Sequence, residues 1–304
     1  MIIFYDYEFN RILAENRVIR WQFTKLYNGI GTFTVYLPNT SPAVKLVMEN
    51  DYLVCQFGSE YAVVTGKELG SELVIYGRTL NWLLSKRIVL PKEALVCYTG
   101  EFVESNFDEA YTDCENVVFG TMQNGSQNSF CVSTPKPLST VVFDALSIDK
   151  LGNELVFDKE NRRWIFNLLK GEDKNLLVSE INKNASSVNI IENISDTANL
   201  CYYEGDGEYI WSGERADGMH HFETYVLSDE KDDADTKLKE AKKESTVKLS
   251  TQGIWYKSDY NLGDTVRLQI VKGSYRTTKR LRITGVEMSQ DSMGYKEKPV
   301  FEEI

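Results

Sequence analysis

Asn50–Phe57 reads NDYLVCQF and, after a short gap, Tyr61–Arg78 reads YAVVTGKELGSELVIYGR. Near the other end, Gly263–Ile270 reads GDTVRLQI and Leu281–Phe301 reads LRITGVEMSQDSMGYKEKPVF. The two pairs align as copies of one framework. Asp51 falls on Asp264, Leu53 on Val266, Cys55 on Leu268 and Phe57 on Ile270; beyond the gap, Val64-Thr65-Gly66 falls on Ile283-Thr284-Gly285. In this alignment the second copy carries a longer connection, expected in a surface loop, where insertions cost little. Val266, Leu268 and Ile270 alternate with polar residues, the period of a strand with one buried face. Asp264 precedes that strand and can accept turn N–H bonds, with Gly263 beside it supplying positive φ. The Thr-Gly endings mark a turn or bulge. Short β-rich segments also resemble one another through strand propensity alone, so the duplication rests on the order of these features.

Working outward, Ile2–Tyr5, Arg17–Phe23 and Thr32–Leu37 read as strands, with a turn at Asn28–Gly31. Ala43–Met48 has helical spacing. Gly77-Arg78 closes the first framework, and a Leu-rich helix runs from Leu80 to Ser85 after an N-cap at Thr79. At Gly77-Arg78 the guanidinium is expected to be buried against backbone carbonyls or an acid, with a solvated helix-start arginine as the alternative. From Pro91 the texture changes. Residues 97–130 mix acidic, Asn and Gly residues, Leu138–Leu146 predicts a helix, and Glu154–Phe157 with Arg163–Leu169 predicts a hairpin. Short strands return at Ser187–Ile191, Asn199–Tyr203, Tyr209–Trp211 and His221–Leu227. A charged helix is expected at about 229–245, acids early and lysines late, as the helix dipole favours.

The fold class is therefore a β-rich α+β chain. Two related β-barrel modules, 1–95 and 191–304, flank a mixed α/β domain at 96–190. The chain has 304 residues, 12% aromatics and only 6 Pro, which suits this reading.

A net charge of −11 argues against a sequence-reading nucleic-acid binder, which needs a basic face. It permits a surface that DNA passes without sticking. The five cysteines (55, 97, 114, 131 and 201) form no CxxC and read as reduced thiols of a protein assembled in the cytosol. No signal peptide or apolar run of membrane-spanning length is apparent. The N-x-S matches at Asn39, Asn124, Asn184 and Asn193 read as chance.

No catalytic, cofactor-binding or metal site is expected. Asp229–Glu240 has the length of a calcium loop, but Lys231, Ala234 and Lys237 occupy positions that need ligands or Gly. His220-His221, adjacent in a strand, would point to opposite faces. There is no G-x-S-x-G, P-loop or dinucleotide fingerprint in context. The residues singled out are structural: Asp51, Gly66, Gly77, Arg78, Gly263, Asp264 and Gly285.

IFYDYEFNRI (Ile3–Ile12) and GIGTFTVYLPNTSPAVKLVMENDYLV (Gly29–Val54) resemble the opening of the phage tail proteins of the siphovirus ReqiPepy6 Gp37-like family. The similarity continues at Gly77-Arg78 with the following helix, at Gly205–Glu208, at FETYVLSDEKDD (Phe222–Asp233) and at YNLGDTVRLQI (Tyr260–Ile270). It is weakest from Cys97 to Ser133. The resemblance implies a structural hub like the baseplate hub of contractile tails or the N-terminal part of tail-associated lysins. It implies two β-barrel modules per chain and a homotrimer forming a pseudo-sixfold ring. That ring joins the tail tube or distal tail protein to a spike, fibre or lysin. It also implies a virion-tail location, or one in a phage-tail-like particle, with assembly in the bacterial cytoplasm. The second module runs to Ile304, so no appended hydrolytic domain is expected. The residues 50–76 and 263–301 should superimpose, with the modules alternating around the ring. The alternative is a carbohydrate-binding or polysaccharide-degrading tail module, which would use the five Trp and exposed carboxylates in a deep pocket.

Overall fold

A computed structural model of the chain describes all residues except 206 and 243, and all side chains except theirs and those of 244–246 and 248. The chain opens with β1 (Ile2–Asp6), β2 (Arg11–Glu15), β3 (Arg20–Leu26) and β4 (Thr32–Pro38). After α1 (Ala43–Glu49) come β5 (Leu53–Phe57), β6 (Glu60–Leu69) and β7 (Glu72–Thr79). The Leu-rich segment forms a 3-10 helix, Leu80–Lys86. The middle holds β8 (Ile88–Val89), β9 (Lys92–Tyr98), α2 (Thr99–Ala110), β10 (Val117–Phe119), β11 (Gln127–Val132), β12 (Lys136–Pro137), α3 (Leu138–Ile148), β13 (Gly152–Asp158) and β14 (Arg163–Leu169). Next are β15 (Asp173–Ser179), β16 (Ala185–Asn193), β17 (Leu200–Gly205), β18 (Glu208–Gly213), β19 (Glu223–Tyr225), α4 (Lys231–Glu240) and β20 (Glu244–Thr251). The second framework is β21 (Thr265–Lys272), β22 (Tyr275–Asp291) and β23 (Gly294–Glu303).

Strand pairing groups these elements differently from chain order. One compact unit comprises residues 1–186 with 250–302 and 304; the other comprises 187–249 with 303. The boundaries at 95 and 190 do not coincide with these units, and the first falls inside β9.

In the larger unit one sheet of eleven strands contains both frameworks, in the order β15-β21-β22-β3-β4-β7-β6-β5-β1-β2, with β23 also on β22. Among the described residues this ladder is open, ending at β15 and β2, rather than closed into barrels. The join is the 17-residue β22. Its first half pairs antiparallel with β21, and Gly285–Gln290 pairs with β3, Gly285 facing Leu26. Apolar residues alternate inward along β4 (Phe33, Val35, Leu37) and β7 (Leu73, Ile75), all at most 2% exposed. The period of two therefore decides which face is buried.

The frameworks share strand order, each being a three-stranded meander with a two-residue Gly-Ser first turn. Gly58 and Gly273 both have φ of 59°, the position a type II′ hairpin turn gives to Gly. The expected register between the copies is not observed. Val54 faces Val63, and the sequence alignment carries these to Arg267 and Arg282; Arg267 instead faces Arg280. Superimposed turn on turn, Cys55 falls on Ile270 while Asp51 falls on Val266 and Gly66 on Leu281. The extra residues of the second copy lengthen both strands, and no long loop separates them. A slip of two residues leaves every side chain on its original face, so the hydrophobic pattern cannot detect it.

The middle of the chain packs as an α/β layer. β13 and β14 form the expected hairpin, with β10 added parallel to β14. The stretch 97–130 contains an unforeseen helix, α2. Phe102, Val103, Asn106 and Phe107 form its buried stripe, and the Glu101 carboxylate accepts the Tyr98 N–H at 3.3 Å as one arm of a capping box. Its many acids obscured that stripe. The α2 and α3 stripes, the β13–β14 hairpin, Tyr5 of β1 and the first-framework residues Val54 and Val63 share one core.

The smaller unit has a three-stranded sheet, β18-β17-β19, with α4 on one face. Cys201, Tyr203 and Ala234 form its small core, with Val226 and Leu238 against it.

Candidate assembly surfaces

The seven framework residues do not converge on one site. Asp51 is exposed and bonds to Lys67 Nζ at 3.0 Å. Asp264 is 2% exposed and accepts the backbone N–H groups of Asn261 (2.7 Å) and Glu172 (2.8 Å), fixing the approach to β15. Gly263 has φ of 88°, and a Cβ there would lie 2.3 Å from the Tyr27 ring. Gly66 sits at a β-bulge against Tyr76. A Cβ on Gly77 would meet the Val63 carbonyl at 1.9 Å, and one on Gly285 would meet the Lys25 carbonyl at 3.0 Å.

Arg78 takes the second of its two expected states: its side chain is exposed and makes no hydrogen bond or ion pair among the described residues. Along β7 the inward positions are Leu73, Ile75, Gly77 and Thr79, so Arg78 must face out. Its neighbours supply the buried polar bonds instead. Thr79 Oγ1 accepts the Gly31 N–H at 2.8 Å. Asn81 donates to the Gly29 carbonyl (3.1 Å) and Asn153 Oδ1 (2.7 Å), and accepts the Leu155 N–H (2.8 Å).

Sequence reasoning also missed two junctions between segments. Tyr27, 4% exposed, lies between Gly152 and Gly263; its hydroxyl donates to the Leu169 carbonyl (3.0 Å) and accepts the Gly171 N–H (3.1 Å). Its backbone N–H donates to Thr284 and its carbonyl accepts from Asn153. The second junction is ionic. Lys25 contacts Glu60 at 2.6 Å and also Glu154, while Lys257 contacts the other Glu60 oxygen. Burial acts to lower the Lys25 pKa, but Glu60 and Glu154 outweigh it and raise it. Burial acts to raise the Glu60 pKa, and Lys25 with Lys257 brings it below the ordinary glutamate value. These four residues come from distant stretches with no common motif, which is why no sequence signal marked them.

His220 ends a 3-10 turn and His221 follows it outside any strand; His221 Nε2 lies 2.9 Å from Glu223. Among the described residues no group of three or more His, Cys, Asp or Glu is placed to hold a metal ion.

Two surfaces expose apolar side chains together. In the larger unit β9 and β11 form a two-stranded ribbon outside the main sheet. On β9 and the segment before it, Ile88, Leu90, Leu95 and Val96 are each more than half exposed. In the smaller unit the sheet face opposite α4 carries Tyr202 between Trp211 and Tyr225, its register partners on either side. Trp211 and Tyr225 are 53% and 69% exposed. Clustered exposure of this kind is characteristic of contact surfaces.

The whole chain shares its fold with phage tail proteins. A tail protein from Neisseria meningitidis MC58 superimposes with a TM-score of 0.62 at 10% identity, covering 100% of this chain and 96% of that one. The tail protein of prophage MuSo2 from Shewanella oneidensis gives 0.63 at 8% identity, covering 99% and 98%. Prophage tail protein gp18 from Listeria monocytogenes EGD-e gives 0.52 at 11%, covering 99% and 94%. No protein-family model and no curated protein matches the sequence.

Proposed function

We propose that this chain is a structural hub protein of a phage tail or phage-tail-like particle, related to the Gp37-like tail proteins. The observation that carries the reading is the full-length fold shared with phage tail proteins. Two meanders of the same strand order within one chain support it further. Three chains then present six similar modules, matching a sixfold tube while keeping threefold symmetry for a spike, fibre or lysin. Contacts between successive modules are heterologous and close because the rotation closes. The β9–β11 ribbon is a natural subunit contact, since its apolar residues otherwise face water. The role is structural rather than hydrolytic. With a net charge of −11, the lining of such a ring is expected to be neutral or acidic, so that DNA passes without being held.

The test is imaging of the intact particle with this chain labelled. A threefold ring between tube and spike, with two meanders per chain alternating around it, is expected. Label on the capsid, or a continuous Lys/Arg belt around the lumen, contradicts the reading. Release of sugars or peptides from cell-wall or capsular polymers, abolished by one carboxylate substitution, would overturn the structural role.

A further inference from the structure

Within the larger unit, β3, β22, β23 and the segment before Trp255 enclose an open cleft of about 760 Å³. That volume lies in the range of small-ligand sites, roughly 300–1,000 Å³. Its wall carries two aromatic rings, Trp255 and Tyr295, with centroids 6.4 Å apart and planes 21° from parallel. They are 45% and 44% exposed, so the rings form part of the wall and are not buried in the core.

The ring pair is held in place. The Trp255 backbone N–H donates to Asp259 Oδ2 at 2.8 Å. The Tyr295 hydroxyl donates to Glu297 Oε2 at 2.9 Å, and the Tyr260 hydroxyl donates to Glu297 Oε1 at 3.0 Å. The Tyr256 N–H also donates to Glu297. Glu297 is thus a support for the aromatic wall.

Other polar groups around the cleft remain free. The Glu287 and Lys298 side chains are exposed and make no hydrogen bond or ion pair among the described residues. The Thr251 hydroxyl, also lining the cleft, is buried without a hydrogen-bond partner among them. A buried hydroxyl in that state is costly unless something supplies its bond. Two lysines (296 and 298) balance two glutamates (287 and 297), so the cleft favours neither sign of ligand charge.

We propose that this cleft binds a neutral oligosaccharide, a pyranose ring stacking on Trp255 and Tyr295. A pyranose combines an apolar C–H face with hydroxyls at its edge. The face suits aromatic rings, and the hydroxyls suit Glu287, Lys298 and Gln252. A nucleic acid fits poorly, because the cleft has no excess of positive charge to neutralise phosphates. The binding site is independent of the assembly role and involves no bond cleavage.

The experiment uses the full chain, titrated by calorimetry and tryptophan fluorescence with hexasaccharides of β-1,4-glucose, α-1,4-glucose and β-1,4-N-acetylglucosamine, and with heparin as an anionic control. Saturable binding of at least one neutral hexasaccharide, with a change in tryptophan emission, is expected. Trp255→Ala should weaken it about tenfold or more. Glu287→Gln, an exposed change that leaves folding intact, should weaken it measurably and serves if Trp255→Ala does not fold. Absence of binding to all three neutral sugars at millimolar concentration, stronger binding of heparin, or binding indifferent to Glu287→Gln and to a folded Trp255→Ala overturns the proposal.

Discussion

At the scale of single residues, two side chains join parts of the chain that are distant in sequence. Tyr27 fills the space two glycines leave, so Gly263 combines a left-handed backbone with a close ring contact. Gly263→Ala meets both penalties and should cost about 2–4 kcal/mol in urea unfolding. Tyr27→Phe keeps the ring but leaves the Gly171 N–H and Leu169 carbonyl without their partner, for about 1–3 kcal/mol. An unchanged urea midpoint for Gly263→Ala would show that the approach is not tight. Lys25→Met leaves Glu60 with only the half-exposed Lys257 and deprives Glu154 of its partner. That should destabilise by about 3–5 kcal/mol, the cost of a broken buried ion pair. Adding Glu60→Gln should restore part of the loss, because the uncompensated charge is then gone; an additive further loss would contradict this account.

At the scale of elements, β9 is a strand with no buried residue. Among the described residues it pairs with β11 alone, and Leu95 and Val96 are exposed although neighbouring positions on a strand point to opposite faces. Replacing both by Asp should leave the isolated chain within about 0.5 kcal/mol of the parent, as surface changes do. The same variant should fail to enter particles in a complementation experiment. Normal incorporation would move the subunit contact elsewhere. The two hairpins make a contrasting point. Their Gly-Ser turns match, while their strands differ in length, so the elements vary by extension within the sheet.

At the scale of the whole molecule, the buried ionic junction links stability to pH. The Glu60 pKa is depressed in the folded chain, so its contribution is present above the ordinary glutamate value and is lost as pH falls through the folded value. Lys25 has a raised pKa, so its contribution is complete below the ordinary lysine value and is lost only as pH rises through the folded one. Between neutral pH and the ordinary glutamate range this junction therefore contributes no slope. The melting temperature should fall below that range, and Glu60→Gln should flatten that part of the curve, measured by calorimetry from neutral to acidic pH. An identical acid slope in parent and variant would assign the loss to other carboxylates.

The sequence by itself determined the β-rich α+β class, most of the strands, three of the four α-helices among the described residues, and the β13–β14 hairpin. These rest on local information: alternation and helical stripes. It also placed the Gly66 bulge and the turn at Gly263-Asp264, where local chemistry has few solutions, whereas the turn or bulge expected at Thr284-Gly285 is absent, β22 running unbroken through it. Only the tertiary structure decided how the copies align, because a two-residue slip preserves every inward face. Only it decided that β22 carries the second framework onto β3, since strand pairing across more than 250 residues leaves no local trace. Arg78 faces out for a reason written in β7, but which neighbour would meet Thr79 and Asn81 depended on the loops at Gly29–Gly31 and Asn153. The aromatic cleft was likewise out of reach of sequence. Trp255 and Tyr295 are forty residues apart, and only the packing of the chain before Trp255 against β23 brings their rings together.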